Sequence, residues 1–434
     1  MEFEVDDLKI NYPNISKGRI LEPSASICIP CRGVRYLCGR SYCPLILKTT
    51  KLIRTIELRK RVIQGSSPPA VFVGRFGYPK VRIGPLLPSL LGDTSRYDFP
   101  EGWSALRLED ILNFRFSMVR SYKFASIEEA RIEPNWLQSL QEMVASRNPV
   151  DMEVKLASIP SNKPLLDDVV EPLGPSARLE HFTFLSNFKI DDRVEKAYYD
   201  RDLKAGEALF KLYLENVEIS RLSKILSLGM LGTRKNRKLV PTRWSITAVD
   251  DTVSKKLVER IKDFETIDNI RVFYIEKHLN RFVVMLFPSK WLYEWIECWY
   301  PQTTWNLYGQ EPEAEGDYEG YSGRKEYASL GGCYYAVRLA IAEYLYKEKK
   351  QAGALAIREI LPGFITSIGV WFVRESIRDL LKQKYIEVDN YTGALDYIFS
   401  KLKFNRNKLI EKSKILKYIY FQKKIEDYLD KFNT

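Results

Sequence analysis

The chain has 434 residues, of which 45% are hydrophobic and 28% are charged, values typical of globular proteins. They exclude a single small module and a mainly disordered chain, and they predict two or three domains. Lysine and arginine outnumber aspartate and glutamate by 67 to 56, and the net charge of +11 favours polyanionic partners. No apolar run is long enough to cross a membrane and the N-terminus is acidic, so we expect a soluble intracellular protein with no membrane partner.

The first half of the chain predicts alternating helices and strands. Residues 1–27 have no sustained period and predict an irregular arm, whereas Pro44 opens a helical pattern that continues to about residue 64. The runs AVFVG and KVRIGP predict a pair of strands with a tight connection. Helices follow over 104–121 and 134–147. The proline-rich residues 159–180 predict a loop or an internal domain boundary.

The second half continues this mixture. Residues 204–228 predict helix, and WSITAVDD predicts a strand that ends in two carboxylates and is followed by a helix. The runs RVFYIEK and RFVVMLFP predict a hairpin. Helices over 333–349 and 370–384 enclose a short ALAIREI strand. These elements predict an α+β fold and leave a mixed α/β fold open, because no βαβ period is clear.

Four of the six cysteines lie in the segment CIPCRGVRYLCGRSYC. A C-x2-C turn lets two thiolates face one point, and the second pair supplies the other corners of a tetrahedron around Zn²⁺. Arg32, Arg35 and Arg40 would offset the charge of such a site and are expected to point outward. An iron–sulfur cluster takes the same ligands, and disulfides are the alternative to a metal. The predicted ligands are Cys28, Cys31, Cys38 and Cys43.

The C-terminus carries a basic segment and then a short motif. Residues 401–421 predict a basic amphipathic helix at the edge of the protein. The tail QKKIEDYLDKFNT contains a glutamine followed by an aliphatic, an aromatic and a further apolar residue, which one helical turn would gather into a single plug. Partners dock on sliding clamps with this geometry, and an ordinary last helix packed on the body is the alternative. The motif residues are Gln422, Ile425, Tyr428 and Leu429.

A second group of candidates lies in the loop GTRKNRKLVPTRW and just after it. Its lysine and arginine side chains could bind phosphate groups, or the segment could be a solvated basic loop. Asp250 and Asp251 could bind a divalent cation, act as a general base or cap a helix. The predicted phosphate ligands in this loop are Arg234, Lys235, Arg237, Lys238 and Arg243.

The segment EPEAEGDYEGYSGRKEYASLGG alternates carboxylates in a glycine-rich stretch. Asp317 and Glu319, with Arg324 nearby, could form a metal or phosphate site, or the segment could be a solvated acidic loop. The chain has two histidines and no standard nucleotide-binding glycine motif, so carboxylates and a metal suit catalysis better than a Ser-His-Asp arrangement. A metal-dependent nuclease or nucleotide hydrolase and an RNA-binding protein therefore stay open as alternatives.

Five blocks together resemble the archaeal Nre family of DNA repair proteins, in particular the NreA type: CIPCRGVRYLCGRSYCP, FVGRFGYPKVRIGP, RKLVPTRWSITAVDD, DYEGYSGRKEYASLGG and QKKIEDYL. The resemblance implies a zinc-finger-like motif at the four cysteines, a motif for the sliding clamp PCNA at the tail, and a role in DNA damage repair. Leu429 departs from the second aromatic that is more usual at the eighth motif position, which bears on clamp affinity.

We therefore expect a DNA repair factor in the cytoplasm, associated with the nucleoid. Its expected partners are PCNA, DNA and other repair proteins, and its expected cofactor is Zn²⁺. The expected domains are an N-terminal arm and zinc module over 1–46, an α+β body over 47–400, the basic helix over 401–421 and a clamp-binding peptide over 422–434.

Overall fold

The structure, a computed structural model, describes residues 20–40, 43–46, 48, 60–161 and 163–421. It confirms the α+β class, with two six-stranded sheets and helices around them. The described residues form two compact units. The first contains 43–257 and 366–375, and the second contains 20–40, 258–365 and 376–421. None of the described helices has the length and hydropathy that a membrane span requires.

The first unit contains the strand order β1-β5-β6-β4-β3-β2. Its pairs are antiparallel except for β4 and β6, which run parallel. The pair β2 and β3 confirms the strands predicted from AVFVG and KVRIGP. The strands are β1 Val62–Ser67, β2 Val71–Val73, β3 Lys80–Pro88, β4 Met118–Ser126, β5 Val150–Leu156 and β6 Ser176–Phe184.

The helices differ from the prediction mainly at their ends. The helix predicted over 104–121 stops at Ser117, because the alternating run that begins at Met118 forms β4. The helix predicted over 204–228 is two helices joined at residues 215–218. Up to residue 227, the helices that lie wholly within the described residues are α1 Ala25–Cys31, α2 Leu108–Ser117, α3 Glu129–Ile132, α4 Asn135–Ala145, α5 Asp192–Tyr199, α6 Ala205–Leu214 and α7 Ile219–Ser227.

The strand predicted at WSITAVDD is wrong. The whole run belongs to helix α8, Thr242–Ile261. Its buried apolar residues recur every three or four positions, as a helix requires: Ile246, Val249, Val253, Leu257 and Ile261. Because Ser245 and Thr247 are buried as well, the sequence shows no clean polar face, and the run looks like an alternating strand.

The second unit contains the strand order β10-β9-β11-β8-β7-β12. The β7–β8 hairpin confirms the prediction, and its turn residues His278 and Leu279 have φ angles of 47° and 59°. Strand β11 is buried along its whole length and runs parallel to β9. The strands are β7 Ile270–Lys277, β8 Asn280–Phe287, β9 Leu292–Trp299, β10 Glu313–Glu319, β11 Gly353–Ile360 and β12 Ile386–Val388.

The C-terminal part of the second unit is packed into its core. The helix predicted over 401–421 at the protein edge is instead two helices that meet at Ser413. Leu402, Phe404, Leu409 and Ile415 are buried with the apolar side chains of the second sheet. The remaining helices are α9 Gly332–Glu348, α10 Trp371–Leu381, α11 Tyr391–Lys401, α12 Arg406–Lys412 and α13 Lys414–Phe421.

Candidate functional site

The cysteine segment begins with the short helix α1. It carries Cys28 and Cys31 three residues apart, with Cys31 buried and Cys28 half-buried. The carbonyl of Cys38 accepts a hydrogen bond from the Leu21 amide at 3.0 Å, and Cys43 is half-buried. Among the described residues, no group of three or more His, Cys, Asp or Glu side chains is arranged to hold a metal ion. The zinc site stays a prediction from the cysteine spacing.

The arginines of this segment do not all point outward as predicted. Arg32 is 3% exposed, and its Nη2 donates to Glu297 Oε2. Arg358 Nη1 donates to the other Glu297 oxygen at 3.1 Å, and both guanidiniums lie over the Trp299 ring. Arg35 donates to two backbone carbonyls. These contacts lie within the second unit, so Arg32 and Arg35 fix the part of the cysteine segment up to residue 40 to it.

The first pair of predicted catalytic carboxylates lies inside helix α8, away from any strand end or N-cap. Asp250 is fully buried, and its two oxygens accept from Arg374 Nη1 at 3.0 and 3.2 Å. Asp251 forms an ion pair with Lys255, one helical turn later, at 2.8 Å. These pairings give both carboxylates a structural role.

The second pair lies in strand β10 rather than in a solvated loop, and both carboxylates are buried. Asp317 has three donors: Ser329 Oγ at 2.9 Å, the Leu330 amide at 2.7 Å and Arg324 Nη1 at 2.9 Å. Glu319 also has three: Trp291 Nε1 at 3.0 Å, Tyr334 Oη at 2.8 Å and Arg338 Nη1 at 2.8 Å. Both carboxylates therefore already have hydrogen-bond donors and a cationic partner, which does not suit an empty metal site.

Several cations predicted to bind phosphate are held by partners in their own unit. Arg237 is buried and donates to Glu133 Oε1 at 3.3 Å. Arg243 forms ion pairs with Asp167 and Asp168. By contrast, Lys235 is exposed and Lys238 is half-buried, and Arg234 lies 3.7 Å from Glu133. With Arg324 bound to Asp317, the predicted set offers less positive charge to a ligand than its sequence density indicates.

The first unit contains a cleft lined by both apolar and charged side chains. Its charged lining consists of Asp98, Glu171, Arg115, Lys224 and Arg374. Asp98 accepts from Arg115 Nη1 and from Lys224 Nζ, the latter at 2.8 Å. Burial raises the pKa of the Asp98 carboxyl, but Lys224 and Arg115 outweigh burial and hold that pKa below its usual value.

The pKa of Glu171 shifts in the opposite direction to that of Asp98. Burial raises the pKa of the Glu171 carboxyl, and Asp98 adds to this, whereas Arg115 and Arg374 oppose it without reversing it. The Glu171 carboxyl is therefore protonated more readily than that of an exposed glutamate. None of the four carboxylates predicted for catalysis lines this cleft.

One face of the first sheet carries arginine and aromatic side chains on neighbouring strands. Arg82 of β3 pairs with Phe124 of β4, and Tyr122 of β4 pairs with Arg178 of β6. The Arg82 guanidinium lies 5.0 Å from the Tyr122 ring centre and 5.4 Å from that of Phe124. This surface, the arginine-aromatic face, consists of Phe72, Arg82, Arg120, Tyr122, Phe124 and Arg178.

The arginines of this face have no ion pair with a carboxylate in the described part of the chain. Arg120 instead lies 5.2 Å from the ring centre of Phe72. Burial and the neighbouring charge of Arg82 lower the pKa of Arg120 to about 10, so Arg120 stays protonated at neutral pH. Two like charges held together without a carboxylate attract an anion.

Sequence reasoning missed this face. The helix predicted over 104–121 covered the start of β4, and the candidate cations were chosen by their density along the chain. The signal that could have found the face is the alternation in residues 120–124, RSYKF, which places Arg120, Tyr122 and Phe124 on one side of a strand. The four residues of the tail motif, 422–429, lie outside the described residues.

Comparisons with known families and proteins cover nearly the whole chain. The family model described as archaeal Nre, N-terminal, matches residues 37–306, and the one described as archaeal Nre, C-terminal, matches 319–428. The DNA repair protein NreB of Archaeoglobus fulgidus is 46% identical over 390 residues, which are 90% of this chain and 97% of the relative. No solved structure matches the chain.

Two further relatives carry the name DNA repair protein NreA. The one from Archaeoglobus fulgidus is 40% identical over 85% of this chain and 92% of its own length. The one from Haloferax volcanii is 33% identical over 77% of this chain and 81% of its own length. The family matches and these long alignments confirm the resemblance seen in the sequence: the chain belongs to the archaeal Nre family.

Proposed function

We propose that this protein acts in DNA repair and is recruited to DNA by the sliding clamp PCNA. Three relatives that align over most of the chain are named DNA repair proteins, which supports the repair role. The observation that carries the recruitment is the sequence Q-x-x-I-x-x-Y-L at 422–429. A glutamine and three apolar side chains at this spacing suit a shallow apolar pocket with a polar rim.

The chain that leads to this motif is anchored in the second unit. Ile415 and Leu416 of α13 are buried, and Glu294 accepts from the amides of Lys414 and Ile415 at 2.7 and 2.9 Å. In the sequence, the motif follows directly after Phe421, the last residue of α13 that the structure describes. A plug joined closely to a folded body raises the local concentration of that body at the clamp, so two weak contacts can act together.

Point variants of the motif test the recruitment. Ile425→Ala and Tyr428→Ala each remove one apolar side chain of the plug and should weaken PCNA binding about tenfold or more in a calorimetric titration. Leu429→Phe supplies the second aromatic and should strengthen it. Lys431→Ala is the matched control, because it lies in the same tail outside the motif. PCNA binding that is equal in all four variants would exclude docking through this peptide.

We also propose that Cys28, Cys31, Cys38 and Cys43 bind Zn²⁺, which would hold the N-terminal segment as a structural cross-link. The C-x2-C spacing falls on α1, where Cys28 and Cys31 lie about one turn apart. Elemental analysis of the purified chain should give one zinc per molecule, lost in Cys28→Ser/Cys31→Ser and retained in Cys333→Ala. Iron with a visible absorption band would identify a cluster instead, and no metal in the parent chain would refute the proposal.

Contact between the body and DNA completes this function. The predicted carboxylates Asp250, Asp251, Asp317 and Glu319 already have cationic partners, so the geometry favours a DNA-binding factor over a metal-dependent nuclease. We place the protein in the cytoplasm, at the nucleoid. Other repair proteins are further expected partners.

A further inference from the structure

We propose that the arginine-aromatic face binds single-stranded DNA, with backbone phosphates at Arg82, Arg120 and Arg178 and bases stacked on Tyr122 and Phe124. This inference rests on the proposed role in DNA repair, and it adds the form of DNA that is bound and the surface that binds it.

The charge of the face is available to a ligand. Arg82 and Arg178 are exposed, Arg120 is half-buried, and none of them is paired with a carboxylate in the described residues. Glu180, the nearest acid along β6, is engaged by Arg61 at 3.0 Å and by Lys155 at 3.4 Å. The arginines therefore form a compact cationic surface that phosphate groups would neutralise.

The aromatic rings give this surface its preference for unpaired bases. Phe124 is 54% exposed, and its ring centre lies 6.0 Å from that of Tyr122 at a steep angle. Rings on an open sheet face stack on bases, as they do in other single-strand-binding folds. In a duplex the bases are stacked on one another and their faces are closed to such rings. The combination of rings and arginines thus favours a single strand.

The width of the face fits a short stretch of nucleic acid. Phe72, Arg82, Tyr122 and Arg178 lie on four adjacent strands, β2, β3, β4 and β6. Neighbouring strands are about 4.8 Å apart, so the face extends for about 14 Å across them. A face of this extent accommodates a short stretch of a single strand.

Binding of labelled oligo(dT) of about 12 nucleotides to the full chain, measured by fluorescence anisotropy, tests the inference. Phe124→Ala should weaken binding about tenfold, and Phe124→Trp should retain it because a larger ring still stacks. Arg82→Gln/Arg120→Gln should reduce the slope of log affinity against log salt by about 1.4, or about 0.7 per lost phosphate contact.

Two control variants remove the same types of side chain from other parts of the first unit. Tyr199→Ala removes a ring that is 64% exposed elsewhere in the first unit, and Arg107→Gln removes an exposed arginine paired with Asp110. Both should bind as the parent chain does. Circular dichroism melts of each variant separate lost binding from lost folding.

The outcomes distinguish the inference from the function on which it rests. Stronger binding to oligo(dT) than to a duplex of equal length, reduced by the face variants alone, supports the inference. Tighter binding to duplex DNA or to oligo(U), or face variants that bind like the controls, overturns it and leaves clamp recruitment and repair untouched. A parent chain that binds no nucleic acid overturns the inference and removes DNA contact from the proposed function.

Discussion

Glu297 joins two parts of the second unit at the scale of a single side chain. One of its oxygens accepts from Arg32 of the N-terminal segment and the other accepts from Arg358 of β11. Burial raises the pKa of this carboxyl, but the two arginines outweigh burial and hold the pKa below its usual value. The two arginines together offset the cost of burying this carboxylate.

Arg32→Ala should therefore destabilise the second unit by about 3–5 kcal/mol, because it leaves a buried carboxylate short of one partner. Urea unfolding followed by tryptophan fluorescence measures the loss, since Trp299 lies against the same guanidinium. The matched variant Arg40→Ala breaks an exposed pair with Glu22 and should cost less than about 1 kcal/mol. Equal losses of unfolding free energy in the two variants would contradict a larger contribution from the buried pair than from the exposed one.

The raised pKa of Glu171 makes the stability of the folded chain depend on pH. This pKa is raised in the folded chain, so the native state binds more protons than the unfolded state between the unfolded and folded pKa values, and stability falls as pH rises through that window. Glu171→Gln should raise the melting temperature at pH 7, and this gain should vanish below about pH 4, where the unfolded carboxyl is protonated too. A gain in melting temperature that does not change with pH would contradict a raised pKa of Glu171.

At the scale of elements, α13 depends on the carboxylate that caps it. Glu294 accepts from Ser413 Oγ at 2.6 Å as well as from the first two amides of the helix. Glu294→Ala should cost about 1–2 kcal/mol and speed hydrogen exchange in residues 414–421. Glu276→Ala, which removes a half-exposed carboxylate from β7, is the control. Unchanged exchange in 414–421 would show that packing alone holds the helix.

Elements with a regular local pattern could be predicted from the sequence. The β7–β8 hairpin, the β2–β3 pair and helix α9 each have the expected position, because their apolar periods and turns are contained in short stretches of chain. Helix α8 was predicted wrongly because its polar residues Ser245 and Asp250 are buried, which erases the polar face that marks a surface helix.

The candidate site was less predictable, because its properties depend on contacts between distant residues. Arg243 looks like a phosphate ligand until Asp167, 76 positions away, is placed beside it. Likewise, the charge of Arg82 matters because β4 brings Arg120 close to it without a carboxylate. The density of lysine and arginine along the sequence gives only the number of cations in a segment. The fold determines which of these cations are available to bind a ligand.

At the scale of the whole molecule, the net charge of +11 is not a uniform property of the surface. Many arginines are bound in ion pairs within each unit, whereas the arginines of the arginine-aromatic face have no carboxylate partner among the described residues. In the function we propose, recruitment combines two modest contacts, one between the tail peptide and PCNA and one between the body and DNA. Such a linkage can exceed either affinity by about 10²–10⁴ without any new contact.

The affinity of the chain for DNA that carries loaded PCNA, compared with the same DNA without the clamp, tests this account most directly. We expect PCNA to raise the affinity of the full chain at least about tenfold. Deletion of 422–434 should abolish that gain and leave binding to bare DNA unchanged. A truncated chain that gains as much from PCNA as the full chain would contradict recruitment through the tail.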